Sequence, residues 1–289
     1  MNVLRSLLFI PGNVAHMLDK ALQFRPDAFV PDMEDSVPDS EKDNARDLVK
    51  SRLQAIRAGN SLVIPRVNSL ETGWIEADLA AVVGPYVDAV TVGKIRGADD
   101  IDAISAIIAR LENRAGLQTG AIRLIPWIET ASAVVHCYEI CRASPRIIAA
   151  AFGAEDYADD MGIERTEEES ESLYARNAVC VAARAAGVIA LDTPYFRYKD
   201  QEGLRANALA AKQYGIKGKF AIHPAQIEPI NEVFSPSESE IEYARRIVAA
   251  FDEARRSGRG STSLDGKVVD IPVVKRARAL LELAGRDKD

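Results

Sequence analysis

A chain of 289 residues with 47% hydrophobic, 27% charged and only 6% aromatic side chains has the composition of a globular protein and is too apolar to be disordered. Its 36 basic against 43 acidic residues leave a formal charge of -7 and a pI near 5.2, which argues against general attraction to nucleic acid or anionic membrane and leaves small-molecule chemistry. No apolar run approaches the roughly 18 residues of a spanning helix, the N-terminus lacks a signal core, and three cysteines are too few for a disulfide framework, so a cytoplasmic protein is expected.

Short β-rich runs alternate with longer helical patterns. Leu4 to Ile10 reads as a strand closed by Pro11-Gly12-Asn13, with a helix to about Gln23 after it. Ala28 to Pro31 is the second strand; an acidic turn follows, then a helix from a cap at Ser40 to Ala58. Ser61 to Val67, Val87 to Val92 and Ala121 to Ile128 are the next three, with helices around 74–83 and 101–113 between them. Arg146 to Phe152, Val188 to Leu191 and Lys219 to Ile222 make eight, with helices near 170–186 and 201–214. Cys137 and Cys141, beside His136, read as small residues on a buried helix face rather than as a metal site.

Eight strands alternating with helices predict an α/β fold, a (β/α)8 TIM barrel over residues 1–234; an open doubly wound sheet would give much the same local pattern. Residues 235–289 read as a C-terminal helical extension and lid: a helix from Glu238 to Arg256, a flexible connector from Ser257 to Ser263, and a module from Leu264 to about Ala284. So small a module is expected to borrow its core from the barrel, a neighbouring subunit or the active-site mouth.

In a barrel of this kind chemistry is carried at the C-terminal ends of the strands. The second strand runs into Asp32-Met33-Glu34-Asp35, the third ends at Arg66-Val67-Asn68, the fifth at Glu129, the sixth leads to Glu155-Asp156 and the eighth to His223-Pro224. Carboxylates from separate strands meeting beside an arginine would suit Mg2+ or Mn2+, which prefer hard oxygen donors. Taken singly, each acid also serves as a helix cap or loop residue, and His223 is as easily a loop histidine as a base. No phosphate loop, dinucleotide glycine fingerprint, His-Glu-x-x-His or Gly-x-Ser-x-Gly is present, which excludes the common forms of kinase, dehydrogenase, zinc protease and serine hydrolase.

Arg5-Ser6-Leu7-Leu8-Phe9-Ile10-Pro11-Gly12-Asn13, Asp32-Met33-Glu34-Asp35-Ser36-Val37, Pro65-Arg66-Val67-Asn68, Ile128-Glu129-Thr130-Ala131, Phe152-Gly153-Ala154-Glu155-Asp156 and Gly218-Lys219-Phe220-Ala221-Ile222-His223-Pro224 occur in order along nearly the whole chain. Together they resemble the citrate lyase β-subunit/malyl-CoA lyase family of the HpcH/HpaI aldolase superfamily. The resemblance implies a Mg2+-dependent enzyme, Mn2+ serving as an alternative ion, that reversibly cleaves a carbon–carbon bond in a 3-hydroxyacyl-CoA thioester of malyl-CoA or citramalyl-CoA type to an acyl-CoA and a 2-oxo acid. It further implies that Glu129 and Asp156 hold the metal, that Glu34 and Asp35 support its waters, and that Arg66 binds substrate. Phe9, Lys20, Ile222 and His223 fall where relatives touch CoA; His16 stands where some have lysine, and Gly93-Lys94 where the family often has Pro-Lys.

Asp265-Gly266-Lys267-Val268-Val269-Asp270-Ile271-Pro272 is similar to the lid of malyl-CoA and citramalyl-CoA lyases, so Asp270 is expected to be the acid/base, contributed to a neighbouring subunit of a homotrimer or hexamer. Small-molecule acyl-CoA and 2-oxo acid are the expected partners, with no nucleic acid and no membrane. The alternatives are a citryl thioester lyase of citrate lyase β type, a class II pyruvate aldolase acting without CoA, a non-catalytic acyl-CoA-binding subunit, and a thioesterase step after cleavage.

Overall fold

Buried parallel strands need continuous apolar runs, and those runs become the staves of the larger of two compact units, residues 4–230. The structure is a computed structural model and describes residues 3–166 and 168–286. The strands are β1 (Ser6–Pro11), β2 (Ala28–Asp32), β3 (Leu62–Val63), β4 (Arg66–Val67), β5 (Ala89–Val92), β6 (Arg123–Ile128), β7 (Ala149–Phe152), β8 (Ile189–Asp192) and β9 (Gly218–Ala221). All pair in parallel in the order β1-β9-β8-β7-β6-β5-β4-β2-β3, and β1 also pairs with β2, which closes the ring. β3 and β4 are halves of one stave: both pair with β2, and Ile64-Pro65 lies between them, where proline has no N–H for the ladder. Eight staves therefore form a closed (β/α)8 barrel, and the open doubly wound alternative is excluded.

Alternation along the strands turns Leu7, Val30, Ile64, Ile125, Trp127, Leu191 and Phe220 into one interior cluster. The alanines of β7, Ala149 and Ala151, leave room for Trp127 to lie against Phe220 with ring centroids 4.5 Å apart, and Phe9 covers Phe220 at 5.1 Å. This floor supports the C-terminal ends of the strands.

The surrounding helices are α1 (Ala15–Ala21), α2 (Lys42–Arg57), α3 (Ile75–Val82), α4 (Ala98–Arg114), α5 (Ala131–Val135), α6 (Cys137–Arg142), α7 (Ala154–Met161), α8 (Leu173–Ala186), α9 (Gln201–Tyr214) and α10 (Ile227–Phe234). Apolar spacing sets the buried face of each; α4 buries Ile101, Ile104, Ile108 and Leu111. Ser40 is not the cap of α2. A 3-10 turn takes up Asp39–Glu41, leaving Glu41 at the N-cap position with no side-chain cap bond. Cys137 and Cys141 are buried one turn apart on α6, as expected of small apolar residues.

The smaller unit comprises residues 231–286 together with Val3. Its α11 (Glu238–Arg256) opens with a capping box: Ser237 Oγ accepts from the Glu240 N–H at 3.2 Å, and the Glu240 carboxylate accepts from the Ser237 N–H at 2.8 Å. The expected flexible connector ends inside a strand, because β10 (Thr262–Leu264) and β11 (Lys267–Val269) form a hairpin before α12 (Ile271–Arg286). Its two-residue loop, Asp265-Gly266, has φ of 50° and 76°, the positive pair a tight hairpin turn requires. Ala244, Ile247 and Phe251 of α11 pack with Val269, Val274 and Ala277. The module thus has a core of its own, contrary to expectation, because α11 belongs to it. Among the described residues no helix is long and apolar enough to cross a membrane.

One buried ion pair staples the end of the barrel at which the strands begin. Arg146, before β7, donates to both Glu112 carboxylate oxygens at 2.8 and 2.7 Å, and Glu112 also accepts the Gly120 and Ile122 N–H groups that lead into β6. Burial opposes ionisation of Glu112, but Arg146 and the two N–H donors outweigh it and hold the carboxyl below the usual glutamate range. Glu112→Ala leaves a buried guanidinium unpaired and should cost about 3–5 kcal/mol of unfolding free energy in urea. The native contribution should also fade as pH falls through the depressed carboxylate pKa.

Candidate active site

The C-terminal ends of β2 and β4 are adjacent, with Asp32 in register with Arg66. Arg66 Nε and Nη2 donate to the two oxygens of Asp32, each at 2.7 Å, in a bidentate fork. Asp32 also accepts the N–H groups of Glu34 at 2.9 Å and Ser36 at 3.2 Å, so it shapes the acidic turn as it holds the arginine. Burial would raise the Asp32 pKa, but the Arg66 charge and hydrogen bonds overcome this and keep it below the usual aspartate range. The guanidinium lies 4.6 Å above the Phe9 ring, on the aromatic floor of the barrel.

The remaining edge of the arginine faces the acidic turn: Nη1 lies 3.1 Å from Glu34 Oε2 and 3.0 Å from Asp35 Oδ2. From the end of β5, Lys94 Nζ approaches Glu34 Oε1 at 3.1 Å and Asp35 Oδ1 at 3.0 Å, while its main-chain N–H donates to Glu129 Oε1. Glu129 follows β6 and is 4% exposed; Asp156 is in the first turn of α7, after β7. At Gly153 the approach is so close that only glycine fits. A Cβ on Gly153 would stand 2.5 Å from Glu129 Oε2, and one on Gly93 would stand 2.9 Å from an oxygen of Glu129 and of Glu34.

Five carboxylates face two cations here, and the deficit shows in the acidities of Glu129, Asp156 and Glu34. Burial, then the charges of Asp156 and Glu34, push Glu129 up to about 8. Asp156 is raised by burial and by Asp35, and Glu34 by burial in spite of Arg66. Glu34 Oε2 is buried and accepts no hydrogen bond. Hard oxygen donors with excess negative charge fit a divalent cation. Among the described residues no group of three or more His, Cys, Asp or Glu side chains is arranged to hold a metal ion, and Glu129 and Asp156 are the two carboxylates expected to do so.

The other expected residues are dispersed. His16 and Lys20 are exposed on α1, and Ile222 and His223 are exposed after β9. His223 Nδ1 accepts from the Ala225 N–H at 3.2 Å and the ring stacks on Tyr198 at 4.8 Å, which is the geometry of a cap. Asp270 belongs to the smaller unit, where its carboxylate accepts from the Val273 N–H at 3.2 Å and caps α12. Asp32 and Lys94 carry more of the site than sequence reasoning assigned them. The signal for Lys94 was a basic residue directly after a strand and a glycine. A separate cavity of about 330 Å3 between α8 and α9, lined partly by Arg176, Tyr195 and Asn207, has buried charge of its own, with Arg176 paired to Glu169 at 2.7 Å and to Asp192 at 3.1 Å.

Fold and site together define a (β/α)8 barrel with an acidic, arginine-bearing mouth. The HpcH/HpaI aldolase/citrate lyase model matches residues 5–224, and the chain belongs to that family. It is 39% identical over 280 residues to the citrate lyase subunit beta of Leuconostoc mesenteroides subsp. cremoris, covering 97% of this chain and 93% of that one. It is 38% identical over 281 residues to a (3S)-malyl-CoA thioesterase of Cereibacter sphaeroides, covering 97% and 94%. Among solved structures, protein CitE of Mycobacterium tuberculosis in complex with magnesium, acetoacetate and coenzyme A superposes with a TM-score of 0.79 at 27% identity over 98% of both chains.

The raised Glu129 acidity has a testable sign. A carboxyl whose folded pKa exceeds its unfolded value lends stability below the unfolded pKa and loses it as pH rises through the folded one, here from 4.5 to about 8. With divalent ions chelated, Glu129→Gln should gain on the native protein by on the order of 2 kcal/mol between pH 5 and pH 9 in denaturant titrations.

Proposed function

We propose that the chain is a carbon–carbon lyase that reversibly cleaves a 3-hydroxyacyl-CoA thioester, of malyl-CoA or citramalyl-CoA type, into an acyl-CoA and a 2-oxo acid. The observation that carries this is the meeting of Glu129, Asp156 and an Asp32-anchored Arg66 at one barrel mouth. The magnesium, acetoacetate and coenzyme A bound by the M. tuberculosis relative support the ligand class. Glu129 and Asp156 would hold Mg2+ or Mn2+, with Glu34 and Asp35 outside them, and the ion would supply Lewis acidity toward the hydroxyl and carboxylate of the acyl group.

The chain's own groups do the rest. Arg66, fixed along one edge by Asp32, would share its Nη1 edge, now 3.0 Å from Asp35 Oδ2 and 3.1 Å from Glu34 Oε2, with the oxygen that becomes an enolate as the carbon–carbon bond breaks. The buried aromatic floor under it, Phe9 on Phe220 and Trp127, keeps water from beneath the guanidinium and strengthens its field. On cleavage the hydroxyl gives its proton to solvent as the carbon–carbon bond breaks, and Asp270, the proposed acid/base, gives one to the enolate carbon; condensation runs both transfers in reverse. Phe9, His16, Lys20, Ile222 and His223 are the proposed CoA contacts, and a homo-oligomer in which Asp270 serves a neighbouring subunit is the proposed assembly.

A panel of malyl-, methylmalyl-, citramalyl- and hydroxymethylglutaryl-CoA with Mg2+, followed for 2-oxo acid and for free thiol, tests the reading. Saturable release of 2-oxo acid from one thioester is expected; turnover of free hydroxy-oxo acids without CoA would replace it with a pyruvate aldolase. Free thiol appearing after the 2-oxo acid would add a hydrolytic step, a second reading favoured by the similarity to a malyl-CoA thioesterase.

Arg66→Ala should lower kcat by about a hundredfold or more, as expected for loss of an oxyanion donor. Asp270→Asn retains a good helix cap, so its thermal midpoint should match the native value while kcat falls at least about a hundredfold. Equal losses of midpoint and activity would reduce Asp270 to its capping role.

A further inference from the structure

We infer that Lys94 is a positioning residue that keeps Glu34 and Asp35 off the cation, reserving its free coordination positions for substrate oxygens and water. This rests on the cation-dependent reading above and assigns a task to a residue outside that reading.

Each acid of the turn is gripped twice. Lys94 Nζ takes Glu34 Oε1 at 3.1 Å and Asp35 Oδ1 at 3.0 Å, while Arg66 Nη1 takes Glu34 Oε2 at 3.1 Å and Asp35 Oδ2 at 3.0 Å. Three of the four oxygens accept a hydrogen bond from one of these cations, and the fourth, Glu34 Oε2, has only the charge contact with Arg66. Arg66 is itself tied to Asp32, so Lys94 is the separable half of the grip.

The backbone of Lys94 is specialised for the task. Its φ of 55° is left-handed, a conformation that costs a residue with a side chain roughly 1–2 kcal/mol. That turn aims its N–H at Glu129 Oε1 and sends its ammonium the other way, to the acidic turn. One residue thus fixes Glu129 as a ligand and withdraws Glu34 from competing with it. The withdrawal matters because Glu34 is close by: a single point beside Gly93 lies 2.9 Å from an oxygen of each glutamate. Released from Lys94, Glu34 Oε1 and Asp35 Oδ1 would have a dication as their strongest available partner, and a dication surrounded by extra carboxylates binds tightly but has fewer open positions.

Mn2+ binding to Lys94→Met, followed by electron paramagnetic resonance and by the relaxation rate of coordinated water, tests this without turnover. The expected result is at least fivefold tighter Mn2+ with fewer exchangeable waters on the ion, and a lower kcat in the thioester assay. Lys94→Arg should stay within twofold of native affinity. Lys94→Gly keeps the left-handed backbone and its N–H while deleting the ammonium, so it should behave as Lys94→Met and stands in if the latter does not fold. Unchanged or weaker Mn2+ binding in both uncharged variants, or tighter binding with native hydration, overturns the inference. Failure of the native protein to take up Mn2+ is a separate result that overturns the cation-dependent reading and this inference with it.

Discussion

Arg66 cannot be buried at the barrel mouth unless something matches its charge, and Asp32 does so with both oxygens at 2.7 Å. Much of the site follows from that fork. It uses up one carboxylate, leaves a single guanidinium edge for other work, and draws the following turn into place because Asp32 also accepts the N–H groups of Glu34 and Ser36. A surface ion pair would be worth little. Here Asp32 is 1% exposed, so removing Arg66 strands the Asp32 charge in a low-dielectric wall.

The second constraint is an excess of negative charge. Beyond Asp32, the strand ends bring Glu34, Asp35, Glu129 and Asp156 into range of one another, with Lys94 as the only further cation among the described contacts. Such an arrangement is unfavourable in itself, as the raised acidities of Glu34, Glu129 and Asp156 record. A protein tolerates it where a ligand relieves it, which is the physical reason to look for function at this mouth. Gly153 is the backbone's part of the same bargain, for a methyl group there would meet Glu129 at its Cβ and its carboxylate.

The barrel was legible because buried parallel strands are runs of apolar residues with polar punctuation, and the ends of each of the eight staves lie within three residues of their expected places. The gathering of Arg66, Glu34, Asp35, Glu129 and Asp156 followed from strand ends once the ring was assumed. Pairings across the ring were not legible: Arg66 meets Asp32 from 34 residues away and Lys94 meets Glu34 from 60, distances at which no local pattern speaks. The hairpin at 262–269 was missed because the Ser, Gly and Arg before it read as a linker, although the Asp-Gly pair inside it is a turn signal. Ser40 shows the limit of cap reading, since a short 3-10 turn displaced the helix start by two residues.

The private apolar cluster of residues 231–286 bears on how such a chain can diversify. Because Phe251, Val269 and Val274 satisfy one another, the segment carrying Asp270 can accumulate changes, or be exchanged between relatives, without refitting the Trp127 and Phe220 interior of the barrel. Two sets of compensating mutations can then drift on separate clocks, one within the barrel and the other within the C-terminal segment.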